Sequence, residues 1–225
     1  MNVKLKNIIA VTGHYGCGKT NFAINLAISL HNSGKKVALV DLDIVNPYFR
    51  SADFKGLAAQ YGFRLVTPTY ANSNLDLPTL TADVDSVISD PSLTVILDVG
   101  GDDAGAAALG RYAAKIKERG YSMIYVINAY RYLTRKPEEA VEILREIEKT
   151  SRLKATHLVN NSHLGKLTTV QTVEEATGYA QAIAELSGLP LLSTAVKSDI
   201  AALLQDQDVY PVEIYVRTPW DHPII

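Results

Sequence analysis

The chain of 225 residues contains one cysteine, Cys17, one tryptophan and two methionines. A lone cysteine excludes an intrachain disulfide and any zinc site built from several thiolates of one chain. It fits a reducing compartment. No stretch approaches the ~18 apolar residues that a membrane-crossing helix needs. The opening MNVKLKNIIAVTG has too short an apolar run for a secretory signal, and glycines follow it at once. A cytoplasmic location is expected on these grounds. Neither sign of charge dominates: 22 Lys and Arg face 24 Asp and Glu, for a net charge of -2. That balance gives no global attraction to nucleic acid or to an anionic membrane. The closing VEIYVRTPWDHPII, with Pro219 and Pro223, cannot make a basic amphipathic helix for a membrane surface. Lysines are not bunched into a DNA-binding face. No repeat, low-complexity tract or linker divides the chain, so residues 1–225 are read as one domain.

Short β-branched runs are plentiful and alternate with longer helical patterns. Residues 7–13, 36–43, 63–68, 93–101, 122–129, 155–162 and 189–196 read as strands. Most are apolar throughout, as strands covered on both faces should be. Helical spacing marks 19–32, 104–119, 136–149 and 172–187. In the third of these, Ala140, Ile143, Leu144 and Ile147 fall on one side, and Pro137 is tolerable in the first turn. The alternation predicts an α/β fold: a mostly parallel sheet of about seven strands with helices on both faces. Ligands of such sheets bind beyond the carboxyl ends of the strands.

The turn after the first strand is the most informative segment. Gly13-His14-Tyr15-Gly16-Cys17-Gly18-Lys19-Thr20 fits G-x-x-x-x-G-K-[ST], the phosphate-binding loop of P-loop proteins. Glycines there let successive backbone N–H groups approach and cradle an anion. The helix that follows adds its positive dipole end. Lys19 is expected to neutralise the β- and γ-phosphates, and Thr20 to offer its hydroxyl to Mg²⁺. Asn21, next in line, is counted with the loop residues that bind nucleotide. Cys17 reads as a small buried filler.

Acidic strand ends add to the pattern. VALVDLDIVNPYFR sets Asp41 and Asp43 at the end of the second strand, and TVILDVGG sets Asp98 before Gly100 and Gly101. A carboxylate beside the phosphates can hold Mg²⁺ through its waters, and Gly101 can give its N–H to a γ-phosphate where a side chain would intrude. Singly, each aspartate reads equally well as a turn residue.

With GHYGCGKT, VDLDIVNPYFR, LDVGG and VNNSHLG in place, nearly the whole chain resembles the MinD/ParA-like branch of P-loop ATPases, the CobQ/CobB/MinD/ParA nucleotide-binding group. The resemblance implies binding of ATP and Mg²⁺, slow hydrolysis as a switch, a nucleotide-dependent homodimer and a protein partner that the sequence does not identify. It implies that Lys19, Asp41 and Asp43 are the catalytic residues, with Asp43 orienting the attacking water. It implies that Thr20, Asp41 and Asp98 serve the metal, and that Gly101 lies in the second switch. His14 departs from the pattern, because many members carry there a second lysine that reaches the partner's phosphates. Histidine either replaces that contact weakly, marks an altered mechanism, or is a solvent-facing loop residue.

GTPases commonly carry Asn-Lys-x-Asp, whose aspartate pairs with guanine. Here the sixth strand ends Asn160-Asn161-Ser162-His163 without that aspartate. Asn160 can bond an adenine edge, or it can simply form a turn; ATP is favoured over GTP. Val196, Lys197 and Ser198 are candidates to wall the base. Two further loops, 70–80 and 128–139, and the residues Asn46, Tyr48 and Arg50 are where a partner or second substrate would be met. Tyr130, Arg131, Tyr132 and Arg135 mix rings with guanidinium groups, which suits an interface or an anionic ligand. A small-molecule kinase or ATP-dependent ligase of the dethiobiotin-synthetase type is the alternative, and a module that holds nucleotide without hydrolysing it is a third.

Overall fold

The continuous apolar runs become strands that are buried on both faces. The computed structural model describes residues 4–43, 52–67, 81–204 and 208–216. Its strands are β1 (Ile8–Thr12), β2 (Val37–Asp41), β3 (Arg64–Val66), β4 (Thr94–Asp98), β5 (Tyr121–Ile127), β6 (His157–Asn160), β7 (Leu191–Lys197) and β8 (Val209–Val212). They form one sheet in the order β3-β2-β4-β1-β5-β6-β7-β8, and every neighbouring pair is parallel. Ile8 and Ala10 of β1 join one apolar cluster while Ile9 and Val11 join the other. Successive strand side chains point to opposite faces, so a strand with a core on each side has no polar position to alternate with.

The helices are α1 (Lys19–Asn32), α2 (Ala52–Tyr61), α3 (Thr81–Ser89), α4 (Asp103–Arg111), α5 (Ala113–Arg119), α6 (Pro137–Ser151), α7 (Val170–Glu175), α8 (Thr177–Ser187) and α9 (Ser198–Ala201). Val84 and Ile88 of α3, Leu109 of α4, Ile116 of α5, Leu144 of α6 and Ile183 of α8 fill one core. Phe22 and Ile24 of α1 and Ala58 of α2 fill the other. Entry into α6 is fixed by Glu139, whose Oε2 accepts from the Lys136 N–H at 3.0 Å. None of these helices is long and apolar enough to cross a membrane.

The seven expected strands are present. The eighth, β8, escapes the sequence reading because Pro211 interrupts it; a residue without an N–H is tolerated here at the sheet edge, where β7 is the one neighbour. The expected helix 104–119 breaks at Tyr112, whose N–H bonds Leu109 O at 3.0 Å in a tightened turn, and 172–187 is α7 and α8 joined at Ala176. Helices α2 and α3 are additional to the four expected helical segments. Residues 70–80, Asn46, Tyr48 and Arg50 lie outside the described residues.

β1 sits between β4 and β5, and the carboxyl ends of its neighbourhood are level. Val11 and Asp41 both pair in register with Asp98. Beyond the strands, Leu42 N–H bonds Asp98 O at 2.8 Å and Val99 N–H bonds Val11 O at 3.0 Å. On the α1 side, the segment after β8 is strapped down by two asparagines. Asn25 Nδ2 donates to Asn21 O at 2.8 Å and to Glu213 O at 2.9 Å, and its Oδ1 accepts from Glu213 N–H at 2.8 Å. Asn21 Oδ1 accepts from Tyr215 N–H at 2.8 Å. The ring of Tyr210 meets Phe22 edge-on at 5.7 Å. An Asn25→Ala variant is expected to lose about 1–2 kcal/mol, since it removes three part-buried hydrogen bonds to the backbone. Urea denaturation measures this, and an unchanged midpoint would contradict the strap.

Candidate functional site

Residues 13–18 carry the chain from the end of β1 onto the axis of α1. Gly18 makes the final bend: it is the helix N-cap at φ 88° and ψ 21°, a left-handed conformation that favours glycine. A Cβ there would also run into the Asn161 side-chain amide. That amide has a task, because Asn161 Nδ2 donates to Cys17 O at 2.7 Å and so ties the loop to the end of β6. Cys17 is 1% exposed and burial raises its thiol pKa, which makes it the expected filler. Lys19 is buried, and its Nζ donates to His14 O at 3.1 Å. The lysine ammonium therefore lies folded against the loop that it follows.

Across from the loop, the Thr20 hydroxyl lies near the Asp98 carboxyl and favours its charged form. Burial pushes the Asp98 pKa up to about 7, partly opposed by the Thr20 hydroxyl and by the Lys19 ammonium, while neighbouring Asp43 adds to the rise. Asp98 Oδ1 is buried and has no hydrogen-bond partner among the described residues. A carboxylate oxygen of this kind beside a threonine hydroxyl fits Mg²⁺, which keeps several waters and takes one or two protein oxygens. No cluster of three or more His, Cys, Asp or Glu among the described residues makes a metal cage. A cation here would depend on phosphate oxygens for much of its shell. Asp41 is buried opposite Asp98 in register, and its Oδ1 accepts from Asp43 N–H at 2.9 Å.

Gly101 shows the closest approach. A Cβ on it would lie 2.5 Å from Tyr15 N and 2.7 Å from Lys19 Nζ, so the strand-end glycines press against the phosphate loop. Asp43 joins them, with Oδ1 3.2 Å from a Cβ placed on Gly100. The structure thus brings together the loop residues 13–20, Asp41, Asp43, Asp98 and Gly101. Buried atoms without partners collect at the same end of the sheet: Thr12 Oγ1, Asp98 Oδ1, Asn128 Nδ2 and Arg131 Nε.

The side chains of the expected residues differ in what they meet. Asn21 is occupied by the strap from Glu213 to Val216. Asn160 is 1% exposed, and its Oδ1 accepts from Ser162 N–H at 3.2 Å and from Ser162 Oγ at 2.6 Å, which is the turn reading. Val196 packs with Val173, Ala201 and Leu204 in a small apolar cluster. Tyr15 is 61% exposed on the loop. Burial, then Lys19, then Arg131 lower the pKa of His14. Three residues at the loop were not singled out for it: Asn161, His163 and Arg131. His163 Nδ1 accepts from Gly165 N–H at 3.1 Å, and its Nε2 lies 3.5 Å from a Cβ placed on Gly18. The doublet Asn160-Asn161 was visible, but which amide turns toward the loop depends on where β6 ends.

Comparison with known proteins agrees with this geometry. Residues 8–183 match the family model described as the CobQ/CobB/MinD/ParA nucleotide binding domain. Curated protein sequences gave no significant match. Among solved structures, the signal recognition particle receptor FtsY from Elizabethkingia anophelis aligns with a TM-score of 0.57 and 20% identity, covering 92% of this chain and 62% of that one. The cell division protein ftsY from Thermotoga maritima gives 0.56 and 19%, covering 87% and 65%. The signal recognition particle 54 kDa protein from Aeropyrum pernix K1, solved with GDP, gives 0.56 and 20%, covering 86% and 42%. The chain therefore spans less than two thirds of these structures, and at such identities the likeness is one of fold.

His163 makes the site sensitive to acid. Burial, with a smaller contribution from Arg131, lowers its pKa from 6.5 to about 4. The unfolded chain then binds a proton that the folded one refuses, so stability present above pH 6.5 is lost as pH falls toward 4. Chemical denaturation of wild type should lose about 1–2 kcal/mol more than His163→Gln between pH 7.5 and 4.5. Equal losses would show that the imidazole is not held neutral.

Proposed function

The chain belongs to the CobQ/CobB/MinD/ParA nucleotide-binding domain family, and from that premise we propose that it is an ATP- and Mg²⁺-dependent switch with slow ATP hydrolysis, acting on a protein partner in the cytoplasm. The observation that carries this reading is buried Lys19 and Asp98, with half-buried Thr20 near the carboxyl, around a glycine loop, one Asp98 oxygen being without a partner among the described residues.

The roles follow from position. Backbone N–H groups of residues 13–19 bind phosphate oxygens, and Lys19 exchanges the His14 carbonyl for the β- and γ-phosphates. Thr20 and Asp98 hold Mg²⁺ with its waters, and Asp41 steadies the start of the first switch through its bond to Asp43 N–H. Bound magnesium supplies charge neutralisation on the phosphate oxygens. Asp43 orients the attacking water, and Gly101 gives its N–H to the terminal phosphate.

Adenine is favoured by what the base-side loop offers. No carboxylate occurs from Ala155 to Thr169, and Leu164 stands three residues after Asn161, where a guanine-reading aspartate would be. Exposed apolar side chains support a partner on the same side. Tyr15, Tyr132, Leu133, Leu164 and Leu167 are exposed in segments that follow the carboxyl ends of β1, β5 and β6. Apolar surface of this kind favours burial against another protein, and a second copy of the chain meeting it face to face accounts for a nucleotide-dependent homodimer.

Titration calorimetry and a phosphate-release assay with ATP and Mg²⁺ test the reading. Wild type should bind and turn over slowly, Lys19→Ala should lose binding, and Asp43→Asn should bind while its rate falls roughly 100-fold or more. Equal ATP affinity and rate in wild type and Lys19→Ala would overturn the assignment. Turnover only on addition of a small-molecule acceptor would point to a kinase or ligase instead.

A further inference from the structure

Among the described residues, Arg131 takes part in no ion pair. It lies in the segment that follows β5, and its backbone is fixed on both sides. Its N–H bonds Asn128 O at 3.3 Å, and its carbonyl accepts from Thr134 N–H at 3.1 Å. The preceding residues are anchored as well. Ala129 N–H bonds Ser162 Oγ at 2.9 Å, and Tyr130 donates its hydroxyl to Thr172 O at 2.7 Å. The chain therefore aims this side chain from a braced support.

The side chain lies over the apex of the phosphate loop. Its Cζ is 3.3 Å, its Nε 3.4 Å and one terminal nitrogen 3.5 Å from a Cβ built on Gly16, so the glycine makes room for the guanidinium. Nε is buried without an acceptor, and no ion pair among the described residues involves Arg131. Its charge is felt at His14, Cys17 and His163, none of them an anion. A guanidinium that shares its neighbours His14 and Cys17 with a second cation, Lys19, and forms no ion pair among the described residues is unfavourable in the protein alone. It becomes favourable when a multiply charged anion lies between them.

We infer that Arg131 is a second phosphate cation of the loop, supplied by the same chain, which reaches over Gly16 to grip the triphosphate tail. The inference rests on the nucleotide-binding reading above and adds a residue to it. It also gives His14 a place. With its own pKa lowered, partly by Arg131, His14 is the neutral member of the loop, and the charge that the loop needs comes from the β5 side. Arginine suits the task because its rigid planar fork presents paired donors to two phosphate oxygens, whereas a lysine acts as a flexible point charge.

The test compares wild type, Arg131→Ala, Arg131→Lys and Lys19→Ala by titration calorimetry with ATP-Mg²⁺, ADP-Mg²⁺ and inorganic tripolyphosphate. Thermal melts of the ligand-free proteins accompany it. Arg131→Ala should weaken ATP and tripolyphosphate by about 10- to 100-fold, and ADP by less. Arg131→Lys should recover part of the loss. The ligand-free melting temperature of Arg131→Ala should be unchanged or higher, because the cation removed forms no ion pair among the described residues. A purely structural arginine would instead lower that temperature. Wild-type binding together with unchanged ATP and tripolyphosphate affinity in Arg131→Ala would overturn this inference alone. A wild type that binds none of the three ligands would overturn the nucleotide reading and this inference with it.

Discussion

The structure depends on a concentration of buried, incompletely satisfied polar groups at one end of an otherwise apolar sheet. Lys19 and Asp98 are buried, Asp98 as the last residue of β4, a strand buried throughout like β1. Leaving one buried polar group unpaired costs about 1–3 kcal/mol, and native folds leave few. Here Thr12, Asp98, Asn128 and Arg131 each keep such an atom within the same neighbourhood. A chain whose net stability is on the order of 5–15 kcal/mol does not gather these groups for packing. They make sense as one half of an interaction with a ligand that is both anionic and able to bring a cation.

The sheet is what makes this concentration affordable and accurate. Parallel strands buried on both faces hold β1, β2 and β4 in one register, so Asp41 and Asp98 arrive side by side while Val99 is tied back to Val11. The glycine turn then needs two restraints. One is internal, the left-handed Gly18 at the head of α1. The other comes from a distant part of the chain, the Asn161 amide on Cys17 O. Arg131 adds a third boundary over Gly16. The loop is thus held between β6, the β5 connection and the strand-end glycines, and its amides keep their direction.

Much of this was legible in the chain itself. Strands with a core on each side leave unbroken β-branched runs, and the glycine-lysine-threonine spacing has few other physical uses at a strand-to-helix turn. Legibility failed where tertiary position decides. Pro211 disguises β8, because the tolerance of a proline depends on the strand being at the edge. Asn160 and Asn161 are indistinguishable until the end of β6 is known; one closes a turn and its neighbour holds the loop. Asn21 has the polarity of a ligand contact, yet it binds the backbone of Tyr215, nearly the length of the chain away. Arg131 was visible as a polar residue among tyrosines, but its seat on Gly16 appears only when β5 lies beside β1.

Hydrogen exchange of the backbone amides from Gly13 to Thr20, followed with and without ATP and Mg²⁺, tests the central claim most directly. The account predicts that nucleotide slows exchange throughout this loop and at Gly101, more than anywhere else in the described fold. Unaltered exchange in the loop, or protection confined to another part of the molecule, would contradict it.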